Sequence, residues 1–585
     1  MSDAPSSERA MSENAMTGQL AASAGVRDSV DEKQAVSRLG IAALVVSGAG
    51  ALVLAVWAYH KFIATPWLPL WDESFYYGTA AKIWRALRAG NIHAAGKETW
   101  HYHLALGMPF LAPYFLVLGL MVGGISLEAA RTASLVAGVV SCAGIAWLAA
   151  SLAEERKAYA AAIAGTLWAS SPMFLFYSSR CLYDSFALVC TAFCFVGAAR
   201  FARSGSRAAA LATGILASMA FLTKYNVGAL ILAALFLGLA WPEIRKRLVA
   251  GPRAFFEQIS RPWILLAATA LAPVAAWWMF GEVRLFVTFL RGFPFDAMDL
   301  STQLLFYPRA IFQDYVSVPA LAVVILAGIV YWLLRGWGQP GVRVALLYVV
   351  LNLTGAELHT QKDGRFIWGS MAVAMALAGA FLAREIPRLP RRLGVVAGAA
   401  AAAAMAWSFW AAPAAAQGYF SRAQVAPDAQ SDAALRAGLA FIRENTKPGQ
   451  PVLLTGISDA GIHYGMVQEV LTDAVTGREP ELELLPNVAQ WLPSWGYSTQ
   501  PSPRYAEELE KAFAQKPGAT LVILNHEPGS KLTGRLYPWV LSWQENYARA
   551  AENLSDLEVV GRLDTHAGLR VTAYRRAGAE SIHAH

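Results

Sequence analysis

The chain has 585 residues, 56% hydrophobic and only 15% charged, whereas soluble domains carry about a quarter charged residues, so a wholly soluble protein is excluded. The net charge of +7 does not point to nucleic acid, because the basic residues gather in short loops between apolar runs, the mark of the cytoplasmic side of a membrane. The four cysteines, Cys142, Cys181, Cys190 and Cys194, lie in or beside apolar runs, which excludes disulfides beyond residue 413. Cys190 and Cys194 are a helical turn apart. Without a CxxC or a nearby histidine they read as small buried residues rather than a metal pair.

Residues 1–38 are rich in Ser, Ala and charge, lack the apolar core of a signal peptide, and are expected to form a disordered cytoplasmic tail. A membrane body at 39–412 and a globular domain at 413–585 follow. A spanning helix needs about 20 largely apolar residues. Candidate runs lie near 39–58, 104–122, 128–150, 158–177, 184–201, 207–223, 226–241, 263–281, 317–335, 344–357, 366–382 and 393–412.

Charge fixes the sides. Arg200, Arg203 and Arg207; Arg245, Lys246, Arg247, Arg253 and Arg261; Arg335 and Arg343; and Arg384, Arg388, Arg391 and Arg392 mark cytoplasmic loops. The turns at 178–183, 224–225, 282–316 and 358–365 then fall outside, together with the C-terminal domain. Parity requires one early run not to cross. The 104–122 run, interrupted by Gly107, Pro109 and Pro113, is expected to be a juxtamembrane or re-entrant helix. Eleven spans remain, with a first external loop over about 59–127.

That loop opens on "PWLPLWDESFYYGTAAKIWRALRAGN", with adjacent carboxylates Asp72 and Glu73. Tyr76, Ala80, Ile83, Trp84 and Leu87 share one face of a helix, Lys82, Arg85 and Arg88 the other, and Gly90 ends it. Such a helix lies along a membrane surface. Asp72 is a candidate catalytic carboxylate or simply a helix cap. In "KETWHYHLALGMPF", Glu98, His101 and His103 are close enough to hold a divalent metal ion, or serve as amphipathic surface.

Asp184 opens an apolar run, and an ionisable residue at a span edge is a functional candidate; an Arg180–Asp184 pair at i, i+4 is the alternative. Lys224 sits in a tight outer turn, where it can bind or merely snorkel. "HTQKDGRF" adds His359, Lys362, Asp363 and Arg365, a cationic turn on the side where cations are not expected, which anion binding would explain. The loop at 282–316 adds Arg284, Arg291, Asp296, Asp299 and Arg309, which can equally be solvated. A carboxylate that deprotonates a hydroxyl, beside cations that hold a departing phosphate, suits group transfer from a lipid phosphate.

The stretch "LWDESFYYGTAAKIWRALRAGN" resembles the acidic first-loop signature of the GT-C glycosyltransferases, in the branch of the protein O-mannosyltransferases and the lipid A aminoarabinose and galacturonic acid transferases. "GISLEAARTASLVAGVVS", "SSPMFLFYSSRCLYDSFALV", "ASMAFLTKYN" and "KDGRFIWGSMAVAMALAG" look like the same branch in the same order, over roughly 40–385. The resemblance implies sugar transfer from a polyprenyl-phosphate carrier, usually with inversion, to an acceptor on the outer side of a bacterial cytoplasmic membrane. It makes Asp72 the general base or the group that orients the acceptor, Asp184 the second acidic position, and Lys224 and Arg365 the groups that face the lipid phosphate. Many members carry Lys-Pro-Pro in the first loop; Thr99, Trp100 and His101 follow Glu98 here, so phosphate binding does not carry over to that segment.

Beyond 418, helix signals at 431–444 and 531–548 alternate with strand signals in "PVLLTG", "TLVILNHE", "LEVVGRL" and "LRVTAYRR", as in a small α/β domain. No nucleotide loop is present, and Asp459 and His463 read as surface residues. The competing class is a transporter or lipid flippase with an external binding domain, which would put ionisable groups at the bilayer midplane or show internal repeats. Here the charges gather at one interface.

Overall fold

The first apolar run becomes helix α1 (Arg38–Ile63). The structure is a computed structural model, which describes residues 38–64, 72–106, 111–249, 261–280, 300–359, 362–422, 429–447, 450–455, 467, 470–472, 481–485, 503–527, 530 and 538–577. The amphipathic stretch of the first loop forms α2 (Asp72–Arg88). Tyr76, Ala80 and Ile83 are buried, and Trp84 and Leu87 pack beside them. Gly90, in the left-handed region at φ 71°, turns the chain into α3 (Ile92–Leu106).

The run at 104–122 divides. Its start closes α3, and most of the rest forms α4 (Ala112–Gly123). Twelve residues at 1.5 Å each give about 18 Å, against the roughly 30 Å of a bilayer core.

Helix α5 (Leu127–Leu152) starts on a Ser126 cap that accepts from the Ala129 amide, with Glu128 in its first turn. The run at 158–177, read as one span in the sequence, is two helices, α6 (Lys157–Ala169) and α7 (Pro172–Ser178), bent by 67°. Pro172 has no N–H to continue the ladder, and Ser171 caps the new helix through the Phe174 amide, so the chain restarts there. There follow α8 (Asp184–Ser204), α9 (Arg207–Thr223), α10 (Tyr225–Lys246), α11 (Arg261–Phe280), α12 (Leu300–Gln313), α13 (Pro319–Arg335) and α14 (Pro340–Leu358). A short turn, Gly364–Ile367, leads into α15 (Trp368–Glu385), and α16 (Arg391–Arg422) closes the bundle.

Among the described residues, seven helices are long and apolar enough to cross a membrane: α1, α5, α8, α10, α14, α15 with its flanking turns, and α16. The bent α6–α7 pair makes up to eight, and α4, α9, α11 and α13 carry shorter apolar stretches. Helix α15 is innermost, and α1 and α16 lie at the rim. Small residues let the backbones meet: a Cβ on Gly379 of α15 would stand 2.6 Å from the Ala160 carbonyl oxygen of α6.

The tail is a five-stranded sheet, β1 (Val452–Thr455), β2 (Leu482–Leu485), β3 (Thr520–His526), β4 (Leu557–Asp564) and β5 (Leu569–Arg576), in the order β2-β1-β3-β5-β4. β1 is parallel to β2 and β3; β5 is antiparallel to β3 and β4. α17 (Ala429–Asn445) packs on one face, and α18 (Pro503–Gln515) with α19 (Pro538–Asn553) on the other. The boundary expected at 412/413 falls inside α16, which carries Pro413 within it. Poly-alanine sequence on either side keeps the helix going.

Candidate active site

Three of the expected outer turns converge on the broken helix α7 and the residues after it. Glu73, in the first turn of α2, is 1% exposed. Arg131 of α5 holds it bidentately, Nε donating to Oε1 at 3.0 Å and Nη2 to Oε2 at 2.9 Å. The Cys181 amide donates to Oε1 at 3.0 Å, and Arg180 Nη1 reaches Oε2 at 3.5 Å. Two residues further along the turn, Tyr183 stacks on Tyr76 of α2 with ring centroids 3.8 Å apart. The start of α2, which carries Asp72, is therefore bolted to the 180–183 turn. The Asp72 side chain lies outside the described residues.

Asp184, 6% exposed, begins α8 and forms an ion pair with Lys224 at the α9–α10 junction. The i, i+4 pair with Arg180 does not form. Residues 179–183 are not helical, so Arg180 turns instead to Glu73, lying between the Phe176 and Phe420 rings at 5.0 and 5.3 Å. Burial pulls the Arg180 guanidinium down to about 10, so it stays charged at neutral pH.

The third turn is 362–367. Asp363 caps it, accepting from the Arg365 amide at 2.9 Å, and pairs with Arg365 Nε at 3.1 Å. Tyr177 of α7 donates to Asp363 at 3.1 Å and lies 3.0 Å from the Tyr419 hydroxyl of α16. Tyr315 donates to the Gly364 carbonyl at 2.7 Å. Burial, with Tyr419, Asp363, Tyr307 and Asp184 adding to it, pushes the Tyr315 hydroxyl well above its usual value. Both carboxylates thus act on one buried hydroxyl. Lys362 caps the end of α14, donating to the Ala356 and Glu357 carbonyls and lying 5.3 Å over the Tyr307 ring. Burial lowers its pKa, partly offset by Glu357. His359 packs edge-on against Phe366.

Glu98, on α3, meets Lys82 of α2 at 3.7 Å. The side chains of His101 and His103 lie outside the described residues, as do Asp459 and His463. Among the described residues no three His, Cys, Asp or Glu side chains gather as metal ligands.

Sequence reasoning missed Arg131, Tyr177 and Tyr419. A lone arginine inside the apolar run of α5 was a visible signal; the tyrosines carry none, being indistinguishable from ordinary core aromatics.

The chain is a multi-pass membrane protein, and its fold is that of the GT-C proteins. Residues 108–280 match the family model described as dolichyl-phosphate-mannose-protein mannosyltransferase. Among solved structures, the chain is similar to ArnT from Cupriavidus metallidurans bound to undecaprenyl phosphate, with 14% identity over 90% of this chain and 97% of that one, at a TM-score of 0.55. It is also similar to the archaeal oligosaccharyltransferase AglB from Archaeoglobus fulgidus in complex with an inhibitory peptide and a dolichol-phosphate, with 14% identity over 92% and 74% of the two chains, at a TM-score of 0.54. No curated protein matches.

Proposed function

We propose that the protein is a glycosyltransferase that moves a hexosyl or pentosyl group from a polyprenyl-phosphate carrier to an acceptor on the outer side of the cytoplasmic membrane, with inversion. The observation that supports this most is the convergence on α7: the acidic start of α2, the Asp184–Lys224 pair and the Arg365 turn share one end of the bundle. In this reading Asp72 takes the proton of the acceptor hydroxyl. The oxygen attacks the anomeric carbon from the face opposite the phosphate, and the bond from that carbon to the phosphate oxygen breaks. The phosphate leaves with the electron pair and with negative charge, which Lys224, Arg365, Lys362 and His359 neutralise. Asp184 sets the position of Lys224. Glu73 belongs with the holders, since its carboxylate receives donors from Arg131, Arg180 and Cys181. A divalent metal ion held by Glu98, His101 and His103 is part of the same reading.

In the same reading the bundle has eleven spans: the seven, the α6–α7 pair, and α9, α11 and α13. The C-terminal domain then lies outside. Sugar transfer in proteoliposomes loaded with polyprenyl-phosphate sugars tests the chemistry. Wild type should transfer, and Asp72→Asn should lose at least about 100-fold, the scale of a general base. Full activity in the variant would sink the base assignment, and no transfer with any donor would favour a transporter. A cysteine at position 361 should be labelled from outside; labelling only from the cytoplasm would overturn the topology.

A further inference from the structure

Helix α16 leads to the C-terminal domain, yet two of its hydroxyls are tied to the broken helix beside the candidate site. Ser408 lies 2.8 Å from the Ser170 hydroxyl at the break between α6 and α7, and both are buried. Three turns on, about 16 Å along the helix, the Tyr419 hydroxyl lies 3.0 Å from that of Tyr177 on α7. The first contact fixes how α16 is rotated against the bundle. The second joins α16 to the hydrogen bonds of the 362–367 turn.

The protons of that chain follow from its far end. A carboxylate only accepts, and a tyrosine hydroxyl has one proton to give. Tyr177 gives its proton to Asp363 Oδ1 at 3.1 Å, so in the contact between the two hydroxyls Tyr419 donates and Tyr177 accepts. Oδ1 also accepts from the Arg365 amide at 2.9 Å, and Oδ2 pairs with Arg365 Nε at 3.1 Å. The chain therefore has a direction, from Tyr419 through Tyr177 and Asp363 to the Arg365 guanidinium. A hydroxyl that accepts a hydrogen bond is the better donor, so the first link strengthens the second. The guanidinium is a rigid planar fork, and holding Nε sets where the rest of it points. Tyr177 and Tyr419 are buried, whereas the Arg365 side chain is 16% exposed; the tyrosines act through the arginine. The backbone of the turn has its own supports. Tyr315 donates to the Gly364 carbonyl, and Met173 of α7 lies where a side chain on Gly364 would stand. Removing a tyrosine hydroxyl thus loosens the aim of Arg365 and leaves the turn in place.

We infer that Tyr419 and Tyr177 are positioning residues that aim Arg365 at the phosphate of the lipid donor, so that the helix carrying the C-terminal domain is part of the donor site. That the anion is a lipid phosphate rests on the proposed glycosyl transfer; the order of the relay does not. The assay titrates undecaprenyl phosphate into the full-length protein in nanodiscs, with undecaprenol, which lacks the phosphate, as the control. Wild type should prefer the phosphate, and Arg365→Gln should lose most of that preference. Tyr177→Phe should weaken phosphate binding about tenfold, the loss of one hydrogen bond to a charged group. Tyr419→Phe, one link further off, should weaken it about threefold. Neither should change binding of undecaprenol, and neither should weaken phosphate binding further in an Arg365→Gln background. Equal losses for undecaprenol, full additivity with Arg365→Gln, or unchanged phosphate binding in Tyr177→Phe and Tyr419→Phe would overturn the relay alone. A wild type with no preference for the phosphate would overturn the donor reading and the inference with it.

Discussion

Glu73→Gln removes one charge from a buried site. The carboxylate receives two donors from Arg131, one from Arg180 and one from the Cys181 amide, and both arginines are as buried as the carboxylate. The amide keeps the volume and one acceptor oxygen, but turns an NH2 toward a guanidinium and leaves two buried cations with no anion between them. Breaking a buried ion pair from one side costs about 3–5 kcal/mol. Cys142, Cys181, Cys190 and Cys194 are all free and buried, so a thiol-reactive fluorophore followed on heating reports opening directly. Glu73→Gln should melt several degrees below wild type, with Cys181, which hydrogen-bonds Glu73, labelled first. Glu73→Gln with Arg131→Met should recover part of the loss, because a buried pair replaced by apolar groups is cheaper than half a pair. Glu73→Gln melting with wild type, and labelling Cys181 no faster, would refute the idea that this carboxylate bolts α2 to the 180–183 turn.

Three other outcomes follow from the geometry. Lys224→Met leaves Asp184 buried without its partner and should cost about 3 kcal/mol of stability, with affinity for polyprenyl phosphate falling at least tenfold in a vesicle binding assay. Gly228→Ala places a methyl against the Phe221 backbone, which cannot give way; it should spread the α9–α10 hairpin, displace Lys224 and lower transfer without changing Asp72 chemistry, seen as an unaltered pH profile. The His526 pKa lies near 4 in the fold, below its usual 6.5. Protons bind the unfolded chain first as pH falls, so stability is full above about 6.5 and declines toward 4 by up to about 3 kcal/mol. His526→Gln should flatten that decline in acid-dependent tryptic cleavage of the tail.

Local pattern carried some of this architecture and long-range pairing carried the rest. Helix α2 and its stop at Gly90 were legible because the apolar period and a left-handed glycine are local signals. The break before Pro172 was written in the sequence as well, but the hydropathy of 158–177 runs across it, since composition ignores a missing N–H. The partners were not legible. Arg180 and Asp184 have the spacing of a helical pair, yet their actual partners are Glu73, 107 residues away, and Lys224, 40 away. In the tail, β2 has four residues, too few for a period to emerge. Tyr505, Leu509, Ala512 and Phe513 do repeat as a helix face, so α18 carried a local signal that the sequence reasoning missed.

Helix α16 is a single rod of 32 residues, about 48 Å at 1.5 Å per residue. Near its far end Tyr419 meets the hydroxyl of Tyr177, and Phe420 covers Arg180. A load that reaches α16 is carried along a continuous helix, which delivers it as torque to the side chains around α7. Domain exchange between proteins of this fold should cut beyond Arg422, because a splice at 413 would carry away the two aromatics that brace the bundle's own end.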